Sequence, residues 1–209
     1  MLEAVIFDFD GTLADTRAIT YDVYTDLAAK HNIKPLSKSA FEALGALPIR
    51  KRLKKHGVSI YRLPKLIKSA LPIYKKRIKE ADFYPIKETL NALKARNIKL
   101  AIVSSNAPET IAAFLAIHNL SMFDCIIGKA PVFGKSRAIK RALKTLNVSK
   151  NSTLYVGDER RDIDACHKIS LPIIAVGWGY DDAALLKEAN PTHYAERPET
   201  LYELLINNH

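Results

Sequence analysis

An α/β fold, a parallel sheet flanked by helices with an all-helical insert near its start, is predicted by three features of this 209-residue chain. The short apolar run Val5-Ile6-Phe7 ends in Asp8-Phe9-Asp10-Gly11-Thr12, the pattern of a buried strand that delivers polar groups to a loop. From Ile86 onward, short apolar runs alternate with amphipathic helical patterns, which argues for parallel strands joined by right-handed crossovers. Between about Asp15 and Asp82 no strand pattern stands out. There Tyr21, Tyr24, Leu27 and Ala28, and later Ile67, Leu71 and Tyr74, recur at helical spacing, with Lys and Arg on the other faces.

The elements follow in order. After the first strand comes an insert of three or four helices. Pro85 follows a linker, and Ile86 to Arg96 reads as an amphipathic helix before the strand Lys99 to Val103, which stops at the polar Ser104-Ser105-Asn106. Pro108 suits a helix start, and that helix runs to about His118. A short strand at Cys125 to Ile127, a helix from Ser136 to Leu146 and a strand at Leu154 to Val156 lead to Gly157-Asp158. A helix from about Asp162 to Ile169, a strand at Ile173 to Val176 and a last helix near Thr200 to Ile206 complete the chain. The expected division is a core of residues 1–15 and 83–209 and a helical domain of residues 16–82.

Composition narrows the function. Hydrophobic residues make up 48% and charged residues 26%, the balance of a globular protein with a full core. No apolar run approaches the roughly 20 residues of a membrane helix. The N-terminal segment lacks a basic leader and a long apolar stretch, so a cytoplasmic protein is expected. Cys125 and Cys166 sit in apolar contexts and read as buried free thiols. The six histidines show no metal-ligand spacing, which argues against zinc. A net charge of +10 favours anionic partners, either phosphorylated metabolites or nucleic acid.

Four strand ends carry the chemistry: Asp8 and Asp10, Ser104 and Ser105, the loop before Lys135, and Asp158 with Asp162. In a parallel sheet they meet where ligands bind, beyond the carboxyl ends of the strands. Asp8 and Asp10 are two residues apart, so they share a face and repel each other. Mg²⁺ resolves that repulsion, because it takes hard oxygen ligands from one or two carboxylates plus substrate phosphate. Asp158 supplies a further carboxylate and Asp162, one turn later, braces it. A carboxylate can attack phosphorus to give an aspartyl-phosphate, while a second acid protonates the leaving oxygen and later activates water. Asp8 is therefore the candidate nucleophile, Asp10 the proton shuttle and Lys135 the charge-neutralising group. Ser104, Ser105, Gly11 and Thr12 are the candidate phosphate-binding positions. Each signal alone is common, since Asp-Gly makes turns, Ser caps helices and Lys decorates surfaces. Their order along the chain is what joins them.

Asp8-Phe9-Asp10-Gly11-Thr12-Leu13-Ala14-Asp15-Thr16 resembles the first motif of the haloacid dehalogenase superfamily, in the phosphatase branch where the second aspartate is present. Ser104, Lys135 and Gly157-Asp158-Glu159-Arg160-Arg161-Asp162 resemble the remaining signatures in the right order, so the likeness covers essentially the whole chain. It implies a Rossmann-like core with an inserted helical cap, and Asp8 and Asp158 as side-chain ligands of Mg²⁺ with Asp10 binding through its backbone carbonyl. It also implies that Gly45, in Ala43-Leu44-Gly45-Ala46-Leu47, lies on a cap loop that approaches substrate. Arg50 and Arg52 flank that loop and are candidates to grip a substrate carboxylate or second phosphate. Ile174 to Tyr180 and Pro191-Thr192-His193-Tyr194 resemble the tail of the phosphoglycolate phosphatase group, which implies a small phosphorylated metabolite as substrate. Lys135-Ser136 departs from the Lys-Pro of many relatives.

Competing functions differ in what they need. A carbon-halogen hydrolase has no use for Asp10 or Thr12. A phosphomutase of the same fold would use the same residues. A basic nucleic-acid-binding or regulatory protein without turnover is permitted by the charge. The complete catalytic set and the lack of aromatic-basic interleaving argue against that last reading. Oligomeric state is not legible in the sequence.

Overall fold

Every residue of strand β1 (Ala4–Phe7) is buried. A computed structural model of the chain, describing residues 1–207, shows why: β1 pairs in parallel with residues 99–102 on one side and 153–156 on the other. Its alternate side chains enter separate cores, Val5 and Phe7 on one face of the sheet and Ala4 and Ile6 on the other. A strand covered on both faces has no polar face to show, which explains the unbroken apolar run.

After β1 come β2 (Ala14–Asp15) and the helices α1 (Arg17–His31), α2 (Lys38–Glu42), α3 (Ile49–Lys55) and α4 (Leu63–Arg77), before β3 (Asp82–Phe83). The last turn of α1 carries Lys30 and His31, which suit the negative end of the helix dipole, and Asn32 ends it in the left-handed conformation. Helices α1 and α4 pack together, and Ile19, Val23, Tyr74 and Ile78 belong to the same core cluster as Phe7 and Phe9. β2 and β3 pair antiparallel, Ala14 opposite Phe83 and Asp15 opposite Asp82, so the two connections to the helical segment are pinned together. Residues 16–82 carry sixteen Lys and Arg against five Asp and Glu, a net +11 that leaves the rest of the chain at −1.

The remainder alternates: α5 (Lys87–Ala95), β4 (Lys99–Val103), α6 (Pro108–Ile117), β5 (Cys125–Ile127), α7 (Lys135–Leu146), β6 (Thr153–Gly157), α8 (Arg160–His167), β7 (Ile173–Val176), α9 (Ala183–Glu188), β8 (His193–Ala195) and α10 (Leu201–Asn207). The six-stranded sheet has the order β5-β4-β1-β6-β7-β8, with every pair parallel. The chain winds outward from β1 through β4 to one edge and through β6 to the other. The topological switch point therefore lies at β1, and its carboxyl end faces the natural ligand crevice.

The expected strands at residues 99–103, 125–127 and 173–176 coincide with those observed. Four elements escaped the sequence pattern. β2 and β3 have two residues each, too few to show a period, and they border the segment expected to lack strands. β8 is an edge strand of three residues, two of them half-buried, and α9 has six residues. Helix α7 also begins at Lys135 rather than Ser136, and α8 at Arg160 rather than Asp162. Among the described residues no helix is long and apolar enough to cross a membrane.

Candidate active site

Asp8 follows the last residue of β1, and its N–H continues the ladder to the Val156 carbonyl at 2.8 Å. Its carboxylate is 2% exposed, and Oδ1 accepts from the Phe9 N–H at 2.7 Å. The turn that follows is closed by Leu13 and Ala14 donating to the Phe9 carbonyl. Gly11 adopts φ +75°, and a Cβ there would overlap the Asp158 carboxylate, so glycine is required both by the backbone and by the space.

Asp10 meets three donors. Its Oδ1 accepts from the Tyr74 phenol and, at 3.2 Å, from the Thr16 hydroxyl; Oδ2 accepts from the Asn106 amide at 2.7 Å. Burial raises its carboxyl above the ordinary range, and the Tyr74 and Thr16 hydrogen bonds oppose that shift without cancelling it. A carboxyl poised upward in this way can carry a proton.

Lys135 opens α7 behind Gly134, whose φ of +126° turns the chain into the helix. Its Nζ lies 2.5 Å from Asp8 Oδ2 and donates to Asp162 Oδ1 at 2.6 Å. Burial works against the ammonium, yet Asp162 and Asp8 outweigh it and push the group up to about 12. Apart from this ammonium, Asp8 Oδ2 has no hydrogen-bond donor, which leaves it room to bind elsewhere. Asp162 is fixed in turn by a capping box at the start of α8, in which its Oδ2 accepts from the Glu159 N–H at 3.3 Å.

Asp158, just past β6, is fully buried. Oδ1 accepts from the Thr12 hydroxyl and Oδ2 from the Tyr180 N–H, both at 2.8 Å. Burial pushes this carboxyl well above its ordinary range, and the charges of Glu159, Asp8 and Asp162 add to the shift. Oxygens of Asp8, Asp158 and Asp162 lie within 4.8 Å of one another. Lys135 offsets the charge of Asp8 and Asp162 but makes no ion pair with Asp158, and the all-oxygen donor set suits a hard divalent ion. The triad fits a metal site.

Ser104 is completely buried at the end of β4, its hydroxyl accepting from the Asn106 N–H at 3.1 Å, and Ser105 beside it is half-exposed. Asp8, Lys135, Asp158 and Asp162 are thus joined by direct contacts or mutual proximity, while Asp10 connects to Asp158 through Thr16 and Tyr180 and to Ser104 through Asn106. The Thr12 hydroxyl, read from sequence as a phosphate contact, is engaged with Asp158. Sequence reasoning passed over Asn106, Tyr74 and Tyr180, whose phenol lies 2.7 Å from both the Thr16 and Thr20 hydroxyls. Asn106 was visible as part of the polar stop after β4. Tyr74 was visible only as one position of a helical stripe.

The helical segment reaches the site at two other points. The Gly45 carbonyl accepts from the Asp182 N–H at 3.1 Å, and a Cβ on Gly45 would collide with the Tyr180 carbonyl. Arg52 forms an ion pair with Asp181 and donates to the Leu47 carbonyl at 2.5 Å. The Arg50 guanidinium instead lies over the Phe133 ring, 4.7 Å from its centroid. Trp178 packs at this edge against Tyr84 and donates to the Thr12 carbonyl at 3.2 Å. Arg161 forms an ion pair with Glu159.

A parallel sheet that gathers an acidic triad and a buried lysine at its switch point defines a class, a hydrolase centred on carboxylates at the strand ends. The family model described as haloacid dehalogenase-like hydrolase matches residues 5–176, and the chain belongs to that family. It is 28% identical over 204 residues to a phosphoglycolate phosphatase of Synechococcus elongatus, covering 97% of this chain and 96% of that one. A pyrophosphatase, PpaX, of Oceanobacillus iheyensis is 25% identical, with 93% and 92% covered. Among solved structures, a predicted phosphatase from Clostridium acetobutylicum superposes with a TM-score of 0.85 at 22% identity, covering 99% of this chain and 100% of that one. The chain is a phosphatase, a phosphoric monoester hydrolase.

Proposed function

We propose that this phosphatase depends on Mg²⁺ and cleaves a small phosphomonoester through an aspartyl-phosphate on Asp8. The observation that carries the reading is Asp8 Oδ2, held 2.5 Å from the Lys135 ammonium with no other hydrogen-bond donor and set within the buried acidic triad. That oxygen attacks phosphorus, the bond from phosphorus to the leaving oxygen breaks, and the leaving oxygen takes the proton of Asp10. Asp10, now a carboxylate, takes a proton from water as the water attacks the phosphorus of the intermediate. Inorganic phosphate leaves and Asp8 is regenerated.

Lys135 offsets charge on Asp8 and the phosphate throughout. The Ser104 hydroxyl and Ser105 bind phosphate oxygens, whereas the Gly11 and Thr12 N–H groups, also expected to do so, already donate to the Ala14 and Phe9 carbonyls. The Thr12 hydroxyl and the Tyr180 N–H orient Asp158, and Asp162 holds Lys135 in place. Asp8 and Asp158 would hold Mg²⁺ by carboxylate and Asp10 by its backbone carbonyl, and the ion would polarise and neutralise the phosphate.

In this reading residues 16–82 form a helical cap domain over a core of 1–15 and 83–209, hinged at the β2–β3 pair. The relatives' names support phosphoglycolate or another small phosphate as substrate. Two buried free thiols accord with work in the reducing cytoplasm. Phosphate release from an aryl phosphate and a metabolite panel, with Mg²⁺ or EDTA and with Asp8→Asn, tests the proposal. Release that persists in EDTA or in Asp8→Asn overturns it.

A further inference from the structure

The positive charge of the chain is gathered in one segment, residues 16–82, at a net +11 against −1 for the rest. Charge that served solubility alone would be interspersed over the surface with both signs. Helix α4 shows how the segment presents it. Arg62 just before the helix, Lys65, Lys68, Lys75 and Lys76 along it and Lys79 in the turn after it recur at helical spacing, which sets them on one face. All six are exposed. The opposite face is apolar: Leu66 and Tyr74 are buried, and Ala70 and Ile73 pack against the core.

Nothing neutralises this stripe. Helix α4 contains no acidic residue, and none of its lysines, nor Lys79, makes an ion pair among the described residues. The acids that reach the end of α4, Asp22 and Glu80, are both taken by Arg77. The end of α1 adds a further cation. Arg62 donates to the His31 carbonyl at 2.9 Å, and desolvation together with the charges of Lys65, Lys30 and Arg62 holds the His31 imidazole below its ordinary range. Tyr74 reaches Asp10 from the other side of α4, so the stripe faces away from the acid and leaves the site open.

We propose that the outer face of α4 is a docking surface for duplex DNA, held through its phosphates without reading base sequence. The stripe runs for roughly 25 Å at the helical rise per residue, and a row of like charges of that length is complementary to a polyanion with closely spaced charges. The major groove of B-form DNA admits a helix between its two rows of phosphates, whereas that of A-form RNA is too narrow. Single strands are bound by aromatic rings interleaved with basic groups, and the stripe has none, Tyr61 before it being a lone exposed ring. A membrane surface would be gripped by large apolar side chains among the lysines, where only Pro72 stands. The surface adds to turnover rather than replacing it, and it does not depend on the reaction proposed above.

Fluorescence anisotropy of a labelled DNA duplex of about two helical turns tests the proposal between about 50 and 200 mM KCl. The duplex carries no terminal phosphate and the buffer contains EDTA, so the acidic triad is not engaged. The wild type binds, and log Kd rises with log salt at a slope of about 4 to 5, the value for neutralising about five phosphates. Lys68→Ala/Lys75→Ala/Lys76→Ala weakens binding roughly 30-fold or more and lowers the slope by about three. Arginine at the same three positions keeps the affinity within about threefold, which separates lost charge from lost fold. Removing equal charge from exposed positions of α7, with Lys140→Ala/Arg141→Ala/Lys144→Ala, also changes affinity by less than about threefold, because those groups lie away from the duplex and are screened. No binding at the lowest salt, binding that salt does not weaken, a loss that arginine does not restore, or an equal loss in the α7 variant would each overturn the proposal. So would tighter binding to a single strand, an RNA duplex or vesicles of anionic phospholipid than to the DNA duplex.

Discussion

The Lys135 ammonium sits between Asp8 and Asp162, 2.5 Å from Oδ2 of the first and 2.6 Å from Oδ1 of the second, with all three side chains at most 3% exposed. One cation thus restrains the proposed nucleophile and is itself restrained by the α8 cap. Replacing it with Met leaves two buried carboxylates without their partner. Lys135→Met is expected to cost about 3–5 kcal/mol of stability in the metal-free protein, measured by urea unfolding at pH 7. It should also lower kcat by roughly 10²–10³ in the presence of Mg²⁺. A variant of wild-type stability and turnover would show that the bridge is incidental.

Burial raises both Asp10 and Asp158 in the folded protein, with neighbouring acids adding to the rise of Asp158. The folded state then binds more protons than the unfolded chain once pH exceeds the ordinary aspartate value of 3.8. Stability is therefore lost as pH climbs through the raised values. Lys135, held at about 12, keeps its contribution throughout this range. Thermal melts between pH 5 and 8, run in EDTA, should show Tm falling with rising pH. Added Mg²⁺ should restore Tm, and by more at the higher pH, because only the ionised carboxylates bind the ion. A flat profile in EDTA, or an equal effect of Mg²⁺ at every pH, would contradict this picture of the triad.

Loss of Asp10, the proposed proton shuttle, should depend on the leaving group. Asp10→Asn is expected to slow release of an alkyl alcohol by about 10²–10⁴, since an alkoxide must be protonated as it departs. The first step with p-nitrophenyl phosphate should be much less affected, because p-nitrophenolate leaves without a proton. Single-turnover kinetics on the two substrates provide the comparison. Equal slowing of both would assign Asp10 to structure rather than proton transfer.

Gly11→Ala places a methyl against the Asp158 carboxylate in a backbone at φ +75°. Expected consequences are about 1–3 kcal/mol of destabilisation from the strained backbone and roughly 10–100-fold weaker Mg²⁺ binding from the displaced ligand. Calorimetric titration of Mg²⁺ reads the second effect directly. Unchanged affinity would remove Asp158 from the set of metal ligands.

How much of this was legible in the sequence depended on the physics behind each signal. β1, β4 and β7 announced themselves because strands buried on both faces read as continuous apolar runs. Asp8, Asp10 and Asp158 were legible because each lies at or just beyond such a run's end. β8 was not, since a three-residue edge strand with half-buried side chains leaves no pattern. Tyr74 was invisible for a different reason. Its helical spacing marks a packing residue, and only the packing of α4 against the core brings its phenol to Asp10. The division of labour between Arg50 and Arg52 likewise needed Asp181 and Phe133, which lie far along the chain from both.

The central claim is a covalent bond between Asp8 and phosphorus. Asp10→Asn incubated with p-nitrophenyl phosphate and Mg²⁺ should complete the first step and stall at the second, since no base remains to activate water. Borohydride then reduces an aspartyl-phosphate to homoserine, which peptide mass spectrometry locates. The account predicts homoserine at position 8 and nowhere else. Homoserine at another aspartate, or p-nitrophenol released with multiple turnovers and no modified residue, would contradict it.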